Sequence, residues 1–365
     1  MAKPHIVVDG RELAGRPTGV GRYLLNVLEQ WAQTPDEAAV TVLVPGDVPP
    51  DVARLAPALR IESRPARALG TWYEQTALPR EARRLNADVF FAPAYTAPLR
   101  LHCPFVVAVH DLSYFAHPEW FSAREGLRRR WITAWAARRA AAVVTISHFS
   151  AAELRTYLRL DAAKIVLAPP GAPPDQTATC PPVSARPRLV LYAGSIFARR
   201  GVPELIAAFA EVARTVPDAR LALVGDNRAT PPVDPEALAQ AAGIADRVTW
   251  HRYASDEALH ALYDQARAFA FLSSYEGFAM TPMEAIARGV PAVLRDTPIA
   301  REVYGDGAAL VTDRTALVTA LTTLLTDDAA HRAALARGRA RLSDFSWAES
   351  AARIRAALLT AGARR

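Results

Sequence analysis

Two carboxylates, Glu276 and Glu284, stand eight residues apart around a run of small and uncharged residues, Gly277-Phe278-Ala279-Met280-Thr281-Pro282-Met283. An apolar strand candidate over 268–272 leads into this run, and a short helix leads out of it. Thr281 suits an N-cap, Pro282 suits the first helical position, and Glu284 lies three residues after the cap, so the spacing spells a capping box. Gly289 and Pro291 then end the helix. The amides of Gly277, Phe278, Ala279 and Met280 fall at a helix N-terminus, where unpaired N–H groups and the helix dipole favour an anion. On spacing alone Glu284 has two roles open to it: bonding the cap backbone of its own helix, or facing a ligand. Glu276 is either an exposed loop carboxylate or a ligand contact.

Three further groups carry chemistry. Arg199-Arg200-Gly201 follows a turn at Gly194, and two adjacent arginines in a loop serve either as solvated surface or as anion ligands. His110 ends the apolar run 105–109; it is either a satisfied strand-end histidine or, at the carboxyl end of a strand in a doubly wound sheet, a residue of the ligand crevice. Asp111 can orient His110, accept from a substrate hydroxyl or cap the following turn, and the sequence does not rank these. Gly19-Val20-Gly21 is a tight turn or a place where a ligand approaches the backbone closely.

The elements that must position these residues read as α/β. Short apolar runs at 5–9, 40–44, 89–92, 105–110, 141–146 and 165–168 alternate with helical stretches, the first helix running from about 22 to 33. This is the pattern of a doubly wound domain with a buried parallel sheet. Prolines crowd 171–187, which reads as a linker between residues 1–170 and 188–345. A second alternating series follows, with strands at 189–193, 221–224, 248–251, 268–272, 292–294 and 309–311. The last segment, 346–365, is an amphipathic helix expected to cross back to the first domain, with Trp347 as a packing anchor.

With 365 residues the chain exceeds one ordinary hydrophobic core. Its 51% hydrophobic and 22% charged composition is that of a globular protein rather than a disordered one. No apolar run approaches the roughly 20 residues a spanning helix needs, and the first residues run straight into a strand, so a cytoplasmic location is expected. Cys103 and Cys180 lie far apart without metal-ligand spacing, so neither a disulfide framework nor a metal site is expected. A net charge of +6 fits an acidic partner without choosing one. Arg124, Arg128, Arg129, Arg130, Arg138 and Arg139 surround Trp131 and Trp135 on a helix. That helix is either a solvated face over core tryptophans or a peripheral contact with an anionic membrane.

Taken in order, these motifs resemble the retaining GT-B glycosyltransferases of family four, which use nucleotide-diphosphate sugars. The resemblance rests on Glu276-Gly277-Phe278 with Glu284, on Thr18-Gly19-Val20-Gly21-Arg22-Tyr23 and on His110-Asp111-Leu112. It also includes Ser147-His148-Phe149-Ser150, Tyr192-Ala193-Gly194-Ser195 with Arg199-Arg200-Gly201, and Phe345-Ser346-Trp347, and it covers nearly the whole chain. It implies two Rossmann-like domains facing each other across a cleft, the second holding the nucleotide. By resemblance, Glu276, Gly277 and His110 contact the donor sugar, and Glu284 accepts from the two ribose hydroxyls. Gly19, Arg199, Arg200, Phe278, Ala279 and Met280 lie along the diphosphate, and His110, Asp111 and Glu276 form the catalytic set. Guanidinium forks suit phosphate, and a carboxylate suits a vicinal diol. Ala279, Met280 and Thr281 stand where the family often has glycine, leucine and proline, which leaves the loop conformation open.

The expected reaction is hexosyl transfer with retention of anomeric configuration, without metal or other cofactor, to a sugar, glycan or lipid-linked acceptor. The run 18–23 resembles mannosyl-type members, which favours GDP-mannose over UDP-glucose or UDP-N-acetylglucosamine. Nucleic acid is not an expected partner. A non-catalytic sugar-nucleotide-binding protein is the rival from another class. A nicotinamide dehydrogenase is disfavoured because Gly19-Val20-Gly21 is followed by Arg22-Tyr23-Leu24, without the third glycine of that fingerprint.

Overall fold

The computed structural model describes residues 3–15, 19–64, 70–174 and 180–363. Thr18 and residues 175–179 of the proline-rich stretch therefore lie outside the described residues. The chain divides into two compact units, Met1–Gly171 with Ser346–Arg365, and Ala172–Phe345.

Among the described residues, the first unit carries a seven-stranded parallel sheet of β1 (His5–Asp9), β2 (Ala39–Pro45), β3 (Arg60–Arg64), β4 (Val89–Ala92), β5 (Phe105–Ala108), β6 (Ala142–Thr145) and β7 (Ile165–Leu167). Its order is β3-β2-β1-β4-β5-β6-β7. The helices between these strands are α1 (Gly19–Gln33), α2 (Pro50–Ala53), α3 (Thr71–Arg84), α4 (Ser113–Ala116), α5 (Ala123–Arg139) and α6 (His148–Leu158). Central strands such as β4 are buried at every position, as the unbroken apolar runs require in a sheet covered on both faces. β3 reads Arg-Ile-Glu-Ser-Arg and escapes the sequence pattern. It is an edge strand with a single buried position, where charged residues guard the open side.

The second unit repeats the plan. β8 (Leu189–Ala193), β9 (Arg220–Val224), β10 (Val248–His251), β11 (Ala266–Phe271), β12 (Ala292–Arg295) and β13 (Ala309–Val311) form a parallel sheet. Its order is β10-β9-β8-β11-β12-β13. Leu191 pairs with Ala222 on one side and Phe269 on the other. The helices are α7 (Val202–Thr215), α8 (Pro235–Ala241), α9 (Asp256–Gln265), α10 (Thr281–Ala287), α11 (Pro298–Val303), α12 (Arg314–Thr326) and α13 (Asp328–Leu342), and α14 (Trp347–Gly362) closes the chain. In each sheet the strand order reverses next to the first strand, between β1 and β4 and between β8 and β11. In doubly wound sheets ligands bind at the carboxyl ends of the strands flanking that reversal.

Two expectations change. Gly19-Val20-Gly21 is not a free loop, because helical backbone already begins at Gly19. The stretch 171–187 is not a free tether where it is described. Arg186 is buried, and its guanidinium donates to the carbonyls of Pro181, Ala266 and Gly289 at 3.0, 3.0 and 2.9 Å, fastening this segment into the second unit. These charge-assisted bonds hold the segment in place while Pro182 keeps its extended backbone, φ −60° and ψ 149°.

α14 belongs to the first unit and packs on α1 and the strands β4 to β7. Trp31 donates its indole N–H to the Ala351 carbonyl at 2.9 Å. Trp347 stands edge-on to Tyr23, ring centres 5.5 Å apart.

Candidate active site

At the switch point of the second sheet, the turns after β8 and β9 cross at two glycines. A Cβ on Gly225, which has φ +143°, would lie 2.1 Å from the Gly194 carbonyl oxygen. A Cβ on Gly194 would lie 2.7 Å from Nη1 of Arg200, so the missing side chain is what admits the guanidinium. Arg200 donates from Nη1 to the Ser195 carbonyl and from Nε to Oε1 of Glu276, each at 3.0 Å. Its guanidinium also lies over the Phe271 ring, 5.1 Å from the centroid. Burial lowers the pKa of a guanidinium, but the Glu276 carboxylate and the Tyr192 hydroxyl together more than offset this, and Arg200 is held above its ordinary value.

Arg199 lies over Phe197 and donates from Nε to the Tyr275 carbonyl at 3.2 Å, with Oε1 of Glu276 3.9 Å away. The Ser274 amide donates to the Arg199 carbonyl at 2.9 Å and ties the two loops together. Ser273 Oγ, 2.9 Å from Oε1 of Glu276, adds a second donor to the same oxygen. Glu276 is thus oriented entirely through Oε1, and among the described residues no hydrogen bond reaches Oε2. The sequence reading places Arg199 and Arg200 on phosphate and Glu276 on sugar. The structure joins all three into one cluster.

The expected capping box is absent. The N-cap of α10 is Met280, already in helical conformation (φ −75°, ψ −28°), with no side-chain cap bond. The Glu284 amide donates to the Met280 carbonyl at 3.2 Å, so Thr281 is the first helical residue and Glu284 sits one position deeper than a box requires. Ala279 keeps the left-handed conformation that glycine would favour, with φ +69°. Its carbonyl accepts from the hydroxyl of Tyr304. Burial first, and the charge of Glu284 second, hold that hydroxyl well above its ordinary pKa. A cavity of about 20 Å³, room for one water, is lined by residues including Ser273, Glu276, Phe278, Ala279, Arg295 and Tyr304.

In the first unit, β5 delivers His110, which is 5% exposed. Its Nε2 is 2.7 Å from the Pro93 carbonyl. A carbonyl only accepts, so Nε2 carries the proton and Nδ1 of the neutral ring keeps the lone pair. Burial lowers the imidazole pKa and favours this neutral form. The rings of Tyr23 and Tyr95 stand edge-on to it at 5.1 and 5.6 Å, so α1, which starts at Gly19, packs against the histidine. Asp111 accepts from the Tyr95 hydroxyl at 2.7 Å and the Ser113 amide at 2.9 Å. Of its three open roles, capping the next turn is the one this geometry displays, and no hydrogen bond joins it to His110 among the described residues.

The family model for glycosyl transferases group 1 matches residues 181–341, and that for glycosyltransferase family 4 matches residues 17–176. The O-antigen chain mannosyltransferase B of Escherichia coli is 28% identical over 274 residues, 71% of each chain. The chain also matches the serotype-specific mannosyltransferase WbdA of Escherichia coli at 30% identity over 138 residues, 38% of this chain but 17% of that protein. The Anabaena protein HepE, solved with UDP and glucose, superposes with a TM-score of 0.73 at 18% identity, over 98% of this chain and 100% of its own. This chain is a family-four glycosyltransferase.

In this glycosyltransferase, both units are Rossmann-like parallel sheets of the GT-B type. Sequence reasoning missed three polar groups of its candidate site. Ser273 sits at a strand end, which is a signal of sorts. Tyr95, left-handed at φ +62°, and Tyr304 leave none, since each acts on a partner distant in sequence. On α5 the two tryptophans divide. Trp135 stacks on Phe105, whereas Trp131 is 58% exposed beside Leu127. Arg128 donates to the Thr71 hydroxyl at 3.1 Å, which brings exposed Trp72 of α3 to the same surface. No helix of the described residues is long and apolar enough to cross a membrane.

Proposed function

We propose that the protein transfers mannose from GDP-mannose to an acceptor hydroxyl in polysaccharide or glycolipid synthesis, with retention and without a metal ion. The observation that carries this reading is the Glu276 carboxylate, clamped at one oxygen by Arg200 and Ser273 while its second oxygen accepts no hydrogen bond from the described residues. An oriented acceptor of this kind suits hydroxyls of a donor sugar. Glu284 binds the ribose diol, and Arg199 and Arg200 take up charge as the diphosphate departs. Neutral His110 offers Nδ1 as an acceptor to the sugar rather than a cation. With Glu276 already paired to Arg200, departure and attack on one face of the sugar fits better than a covalent intermediate on that carboxylate. The mannosyltransferase relatives support mannose as the sugar. The exposed Trp72, Leu127 and Trp131 among the arginines of α5 support a peripheral contact with anionic lipid on the cytoplasmic side, near a lipid-linked acceptor.

The test is a thermal-shift panel of nucleotide sugars, followed by NMR of the product's anomeric signal. GDP-mannose should stabilise the protein selectively and give an α-linked product. Selective stabilisation by UDP-glucose or UDP-N-acetylglucosamine would replace the donor, a β-linked product would remove retention, and binding without turnover would favour a sugar-nucleotide-binding protein.

A further inference from the structure

A left-handed alanine needs something to hold it, because its Cβ crowds the following carbonyl in that conformation. Ala279 has φ +69°, and it lies between Glu276 and α10, where a relaxed backbone would move every group of the segment. The Tyr304 hydroxyl donates to the Ala279 carbonyl, while the amide of Met283, in the first turn of α10, donates to the Met280 carbonyl at 3.0 Å. Tyr304 is itself fixed: it is 1% exposed, and its own amide donates to the Ala300 carbonyl at 2.9 Å.

We infer that Tyr304 is a positioning residue, which clamps Ala279 in the left-handed conformation and so presets Glu276 to Met280 for the donor nucleotide. The inference rests on the donor-site reading above. Tyr304 touches no substrate in this role; it acts through the backbone of residue 279. A glycine in place of Ala279 would adopt the same conformation without a clamp, so the clamp and the alanine are coupled.

The test is a double-mutant cycle with Tyr304→Phe, which keeps the ring, and Ala279→Gly. Binding of GDP, UDP and ADP is measured by calorimetry, and amide exchange is followed in the peptide covering 276–283. Tyr304→Phe should weaken the preferred nucleotide at least about tenfold when Ala279 is present and less than about threefold in the protein already carrying Ala279→Gly. It should also speed exchange of the 276–283 peptide with no nucleotide present. An equal loss in both backgrounds, or unchanged binding and exchange, overturns the inference. If the unsubstituted protein binds none of the three nucleotides, the donor-site reading fails, and the exchange result alone then decides whether the clamp stands.

Discussion

At the scale of single residues, Glu276 and Arg200 define what the second unit presents. Glu276→Gln leaves a carbonyl oxygen for Arg200 and Ser273 but removes the charge that both the guanidinium and a sugar hydroxyl use. The expected loss of stability is about 1–2 kcal/mol, set against a fall of at least about 100-fold in kcat/KM. Thermal unfolding and initial rates on the same preparation check the split, and equal proportional losses would reduce Glu276 to a structural role. Their pairing was not legible beforehand, because the two residues are 76 positions apart and each has an ordinary surface reading of its own. The candidacy of both for a site was legible, since a carboxylate before Gly-Phe and a basic pair after a strand-end glycine are local patterns.

Secondary-structure elements were legible in proportion to how locally they are determined. Buried parallel strands such as β4 and β8 announce themselves as unbroken apolar runs, whereas β3 depends on being at an edge and is written in charged residues. The start of α10 depends on the backbone of Met280 and, through Ala279, on a hydroxyl 25 residues away, so a local capping rule misplaced it by one position. The displacement has a measurable consequence. Thr281→Ala should change stability by less than about 0.5 kcal/mol, where loss of a true N-cap costs about 1 kcal/mol. Denaturant melts of the two proteins settle it, and a full cap-sized loss would restore the capping box. Glu284→Gln should weaken nucleotide binding more than it weakens folding.

At the scale of the whole molecule, stability and surface are the properties to test. His331 is 2% exposed in the second unit, and neither ring nitrogen has a hydrogen-bond partner among the described residues. Burial, aided by the charges of Arg186 and Arg267 and opposed by Asp328, lowers its pKa from 6.5 to about 4. The folded form therefore favours neutral imidazole. Its contribution is complete above pH 6.5 and is lost as pH falls toward 4, because the unfolded chain takes up the proton first. His331→Leu should flatten that part of the acid limb by on the order of 3 kcal/mol, read from unfolding midpoints across about pH 4–7. An unchanged slope would remove His331 as the cause. On the surface, sedimentation with anionic vesicles should capture the protein, and the doubly substituted Trp72→Ser, Trp131→Ser form should lose most of that binding. Equal capture of both forms would leave the tryptophans without that role.

The placement of α14 also orders events in time. The first unit is split in sequence, and its last helix is made only after all of the second unit. At ribosomal speeds of about 5–20 residues per second, the roughly 170 intervening residues take about 10–35 s. During that interval the first sheet is synthesised but its α14 side is uncovered, with Trp31 still lacking its carbonyl partner on Ala351. The second unit, continuous in sequence, can close as soon as it emerges. A released chain ending before Trp347 would thus hold every residue of the second unit but lack the helix that packs on α1 and β4 to β7 of the first.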